Sequence, residues 1–123
     1  MKSLISYFAA IHLCASLSMA KGPSVNLEKT PHGGIQPQAI VDAGGTLHLL
    51  YYKGQPREGD LFYVTRPKGQ RSFSSPIKVN NIVGSACCIG SIFRARMAIG
   101  QDGIVHVLWN GSFGFVRKQW EKK

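Results

Sequence analysis

The chain has 123 residues, 44% of them hydrophobic, with 15 Lys and Arg against 6 Asp and Glu and a formal charge of +9. That length admits one small domain and excludes a multidomain enzyme. The basic balance favours anionic partners, and three cysteines, one of them within the first 20 residues, exclude a disulfide-stapled framework.

Residues 1–20 have the layout of an export signal. Lys2 gives the positive start, Leu4 to Leu17 give an apolar run shorter than the roughly 20 residues of a membrane span, and Ser18 and Ala20 precede a cleavage site before Lys21. The protein is therefore expected to be exported, to the periplasm or beyond, without a membrane anchor. Cys14 follows Leu13, where a lipoprotein signal has a small residue, so no lipid is expected there. Residues 21–36 are rich in turn formers and predict an opening loop with at most a short strand around Val25 to Leu27. His32 lies in this loop beside two glycines and by itself marks no site.

Short apolar runs bounded by glycine, proline and charge then predict strands at Gln38 to Val41, Thr46 to Tyr52, Asp60 to Thr65 and Ser72 to Val79, the last bordered or broken by Pro76. The turns "DAGG", "KGQPREG" and "RPKGQR" join antiparallel neighbours, which makes these four strands one meander. Further strands are predicted at Ala86 to Ile92, Ala95 to Ile99 and Ile104 to Trp109, before a basic tail over 113–123. Apolar residues recur nowhere at helical spacing, and 14 glycines argue against helices, so the chain is predicted to be all-β. Helix is left to the signal segment and the tail. Cys87 and Cys88 are adjacent; a strained bridge is one reading, and burial as small apolar residues in a strand is favoured.

One pattern occurs twice. Placing Gly45 on Gly103, an offset of 58 residues, also places His48 on His106, Leu50 on Leu108 and Tyr51 on Trp109. Four strands fit this period, and repeats of about 40 to 50 residues with four strands each mark propeller blades. The two histidines sit mid-strand between apolar residues. An imidazole there can donate to a backbone carbonyl while its ring packs, and equivalent positions in different blades do not converge on one metal ion. No metal site or cofactor is expected: the sequence has no phosphate-cradling loop, zinc spacing or calcium loop.

The stretches "IQPQAIVDAGGTLHLLYYKG", "GDLFYV" and "FSSPIKVN" resemble the sialidase-like propeller superfamily, whose blades carry the bacterial neuraminidase repeat, or Asp-box. The resemblance covers most of 34–112 and implies antiparallel four-stranded blades, a partial propeller of about two blades over 37–112. Full Asp-boxes are absent: "TRPKGQRSF" supplies Thr65, Gly69 and Phe73 but has Pro67 in place of the aspartate. Enzymes of the superfamily cleave terminal sialic acid with a tyrosine nucleophile, a glutamate, an aspartate and three arginines that clamp the carboxylate. The nearest string to the first of those arginines is "FRAR", which makes Arg94 and Arg96 the candidate substrate contacts and also allows them to be surface charges on a strand. Tyr51 and Tyr52 lack an accompanying glutamate and read as core and rim aromatics.

Rings of this kind have about six blades, so the incomplete ring implied here carries no catalytic residues of its own. The resulting expectation is an exported propeller piece related to glycan-binding or glycan-hydrolysing proteins, with a glycan, a second copy or a chain supplying further blades as its partner and no specific nucleic acid. Two alternatives stand beside it: a small basic module that grips anionic polymers through turn residues such as Lys53, Arg57, Lys68 and Arg71, and a truncated product without function. "NGS", Asn110 to Ser112, is a glycosylation sequon wherever the pathway uses one.

Overall fold

The structure is a computed structural model that describes residues 22, 24–90 and 94–111. The expected signal segment and basic tail lie outside the described residues. The described part is all-β: β1 (Ile35–Val41), β2 (Leu47–Gln55), β3 (Glu58–Arg66), β4 (Ile77–Lys78), β5 (Arg96–Ile99) and β6 (Val105–Leu108), with one 3-10 turn at Pro31–Gly33 as the only helical element among the described residues. The first four strands form an antiparallel sheet in the order β1-β2-β3-β4, which is the predicted meander, and β5 and β6 form a second sheet of two strands.

β2 is the central strand, and its sequence explains why. "LHLLYY" is apolar at both alternations, so both faces of the strand are covered. On the front face Leu50 and Tyr52 join Leu61 of β3, together with Ala86, Cys88 and Met97, in one buried cluster. On the back face Leu49 and Tyr51 pack with Val64, Phe62 and Phe73 in another. Each such large side chain removed from water contributes roughly 1.5–3 kcal/mol, which makes β2 the strand around which the others assemble.

The β2–β3 hairpin closes through Pro56 and Arg57 and brings Gly54 opposite Gly59. Here glycine is required at both positions. Gly54 has φ 124°, and a Cβ on it would lie 2.7 Å from Gly59 Cα, whereas a Cβ on Gly59 would run into the Tyr52 hydroxyl. β1 enters through a bulge between Ile35 and Gln38, where Gln36 adopts φ 50°.

Two predicted strands are corrected, and the opening loop, allowed at most one, has none. The strand over Ser72 to Val79 is reduced to Ile77–Lys78, which pairs with Phe62 and Tyr63. Pro76 has no N–H to give a ladder, and Ser74 holds the edge of β3 differently, donating its N–H to Thr65 O and accepting the Thr65 N–H on its hydroxyl. Val25 and Leu27 are exposed and form no strand. The strand over Ala86 to Ile92 is also absent up to Gly90, while 91–93 lie outside the described residues.

Residues 80–88 instead form an irregular segment, organised by Asn80, that is buried at Asn80 and from Gly84 to Cys88 and exposed between them. Asn80 Oδ1 accepts the Leu61 N–H, and its Nδ2 lies within hydrogen-bonding distance of Asp60, Ile82 O and Ser85. Ala86 then exchanges both backbone hydrogen bonds with Gly59 and also bridges to Gly111 beyond β6. Cys87 and Cys88 are buried and unbridged, in this irregular segment and not in a strand.

The 58-residue offset corresponds to a repeated structure. Val41 pairs with Leu47, Ile40 with His48 and Ala39 with Leu49; at the equivalent places Ile99 pairs with Val105, Ala98 with His106 and Met97 with Val107. The second hairpin lies on the front face of the first sheet, where Val105, Val107 and Trp109 pack against the Leu50 cluster. Gln38 fastens the two: its amide accepts the Met97 N–H at 2.6 Å and donates to Met97 O at 3.2 Å.

Candidate functional site

Both repeats turn in the same way. Asp42 N donates to Thr46 O and Gly45 N to Asp42 O; in the second repeat Gly100 N donates to Ile104 O and Gly103 N to Gly100 O. Gly45 and Gly103, singled out as repeat positions, have φ 81° and 79°, the left-handed geometry that this turn demands. Because the hairpins are stacked, the two turns face each other across a cleft of about 410 Å³ lined by Asp42, Gly44, His48, Gly100, Gln101 and Gly103, with Ile40 and Ile99 among its apolar walls.

A chain of three polar side chains starts in the cleft at Asp42 and His48 and runs back to Tyr63, which does not line it. Asp42 Oδ2 lies 3.1 Å from His48 Nε2, and His48 Nδ1 lies 2.6 Å from the Tyr63 hydroxyl. With Asp42 ionised, Nε2–H donates to the carboxylate and Nδ1 accepts the phenolic proton. The hydrogen bond from His48 and the N–H of Thr46 hold the Asp42 carboxyl below its usual range. Burial, with the Asp42 charge behind it, pushes the Tyr63 phenol up. The arrangement therefore keeps a carboxylate and a protonated phenol at either end of one imidazole. It offers an acceptor at the cleft surface, since Asp42 is about one-third exposed, and no tyrosinate.

His48 was expected to donate to a backbone carbonyl. Its partners are the Asp42 and Tyr63 side chains, because six residues back the turn supplies an aspartate whose second oxygen is unused by the backbone. Both ring nitrogens are engaged. His106 alternates with the covered Val105 and Val107 and is exposed on the far side of its hairpin, so the two histidines do not meet. Among the described residues no three His, Cys, Asp or Glu side chains gather as a metal site.

Tyr51 and Tyr52 are both core residues, 1% and 2% exposed. Burial raises both phenols, Tyr52 to about 12. Trp109 is half-buried against the front cluster. Arg94 and Arg96 are exposed, Arg96 at the start of β5 and Arg94 before it, and neither lines the cleft. The turn cations are divided between the two ends of the first sheet: Arg57 is at the β2–β3 turn, whereas Lys68 and Arg71 follow β3 at the opposite end. Asp42 and Tyr63 were not singled out by sequence reasoning. An aspartate before two glycines signals only a turn cap, and a tyrosine in an apolar strand signals only packing.

Comparison with family models, with characterised proteins and with solved structures gives no match to this chain.

Proposed function

We propose that the chain is an exported segment of a sialidase-like β-propeller that engages glycans and does not hydrolyse them on its own. The observation that carries this reading is the recurrence of one hairpin, β1–β2 and β5–β6, with the same register and turn bonds and the second packed on the front of the first. Repeated antiparallel sheets arranged about an axis are how a propeller is built. The cleft between the two turns is the place for a sugar. It presents the Asp42 carboxylate as an acceptor for hydroxyl groups, together with turn backbone and apolar walls. Tyr63, behind His48 and outside the cleft lining, is held protonated by burial, which suits binding more than nucleophilic attack.

The test is a glycan screen on the purified protein, sialosides and neutral sugars side by side, with free sialic acid assayed in the same wells. Retention of a glycan without release of sugar, weakened by Asp42→Asn, supports the reading; no retention on any glycan overturns its binding part. A carboxylate-clamping role for Arg94 requires that Arg94→Ala abolish sialoside binding. Steep loss of binding with rising salt would instead mark a module for anionic polymers.

A further inference from the structure

The repeat has a front and a back, and among the described residues one junction between them is made. The front of the first repeat carries Gln38, Ile40, His48 and Leu50; it is covered by the back of the second, where Met97, Val105 and Val107 point inward. The residues 58 further on, Arg96, Ala98, His106 and Leu108, form the front of the second repeat and are exposed. Leu50 is 1% exposed and its equivalent Leu108 is 74% exposed. The back of the first repeat is the same kind of surface as the one that already does the covering. Ala39, Val41, Leu47 and Leu49 stand where Met97, Ile99, Val105 and Val107 stand in the second. Val41 is 62% exposed, and a shallow cleft of about 220 Å³ opens over Pro37, Ala39 and Leu47, with Leu49 buried at its floor beside Phe73 and Glu28, Lys29 and Thr30 along its edge.

We infer that the front of the second repeat docks on the back of the first repeat of a second copy of this chain, in the geometry with which the two repeats already pack inside one copy. The inference rests on the blade-stacking part of the proposal above and names the partner. The occupant is a second copy because each copy carries both halves of the junction at opposite ends: an exposed Leu108 and His106 at one, and at the other the exposed Val41 with an open cleft edged by Glu28. Such an interface is heterologous, so it closes a ring if the rotation between copies permits and otherwise continues as a filament. Arg96 takes the position of Gln38, which fastens the internal junction, and so brings a cation to the new one.

The experiment is light scattering on the purified protein over a concentration series up to about 1 mM, with circular dichroism on the same samples. The wild type is expected to grow in mass with concentration. Leu108→Asp at the front and Val41→Asp at the back, both at exposed positions, are each expected to stay monomeric and keep the wild-type β signal. Mixed in equal amounts they are expected to form a dimer and go no further, since each retains the half the other has lost. A β-rich wild type that remains monomeric throughout overturns the inference, as does an equal mixture that stays monomeric; glycan binding, read separately, is unaffected by either result. Should Leu108→Asp lose its β signal, His106→Glu on the same face replaces it in the mixing experiment.

Discussion

Asp42 and Asp102 satisfy equivalent backbone N–H groups from different places in their turns. Asp42 Oδ1 accepts the N–H of Thr46, four residues on, at 2.8 Å, whereas Asp102 Oδ1 accepts that of Ile104, two residues on, at 3.0 Å. Thr46 and Ile104 are the same position of the repeat. Only in the first turn does the geometry leave the other carboxylate oxygen pointing at the histidine; the second has Gly100 at that place, so His106 faces no aspartate there.

This difference predicts a pH dependence. The Asp42 carboxyl is held below its usual range, first by His48 and then by the Thr46 N–H. A depressed carboxyl stabilises the fold at pH values above its unfolded value, and that stability is lost as pH falls through the folded one. Melting temperature is therefore expected to drop below about pH 4, and Asp42→Asn is expected to flatten part of that drop. Thermal melts followed from about pH 6 down to about pH 2 measure it; an acid limb unchanged in the variant contradicts the assignment.

The two turn glycines are predicted to differ in their tolerance of a side chain. Gly103→Ala meets open space and incurs only the left-handed backbone cost of about 1–2 kcal/mol. Gly45→Ala incurs the same cost and also presses on Lys68, whose stem would lie 3.1 Å from the new Cβ. Urea unfolding should find both variants less stable, with Gly45→Ala the weaker of the two.

The adjacent tyrosines are predicted to respond in opposite directions. The Tyr51 hydroxyl is buried with no hydrogen-bond partner, so Tyr51→Phe removes a penalty of about 1–3 kcal/mol and raises the melting temperature. The Tyr52 hydroxyl donates to Gln55 O, with Ala86 O at 3.3 Å. Tyr52→Phe is expected to destabilise by about 1 kcal/mol. Differential scanning calorimetry on the two variants decides between a shared and an opposite sign.

Asn80 is predicted to be the costliest single polar position outside the cleft. Asn80→Ala strands the buried Leu61 N–H and takes a hydrogen-bond donor from Asp60, which also accepts the Gly84 N–H at 2.9 Å. A loss of about 2–4 kcal/mol is expected from equilibrium unfolding, with the 80–88 segment becoming sensitive to limited proteolysis.

The first sheet was legible because its signals are local. Alternating apolar residues, paired glycines and the proline of the β2–β3 turn specify strands and hairpins within a few residues of one another, and the spacing of Gly45 and Gly103 located the repeat. The segment after β4 was misread for a physical reason. "SACCIG" has the composition of a buried strand, yet its burial comes from lying between the hairpin tip at Pro56 and the end of β6, where Cys87 N donates to Asn110 O and Cys88 N to Pro56 O. These partners are more than 20 residues away in either direction, and no local pattern encodes them. The cleft was legible only in part. His48 and the glycines that line or shape it were found through the repeat, whereas Tyr63 reaches His48 from the neighbouring strand and is visible only once β2 and β3 are paired.

Ala86 occupies a position with a consequence for how the molecule comes apart. It is fully buried and joined on one side to Gly59 and on the other to Gly111, so the same residue closes the edge of the first sheet and holds the end of the second hairpin. Neither sheet can open at that end without releasing it. The Ala86 amide, although it belongs to no named strand, should therefore exchange its hydrogen with solvent only when the two repeats unfold together.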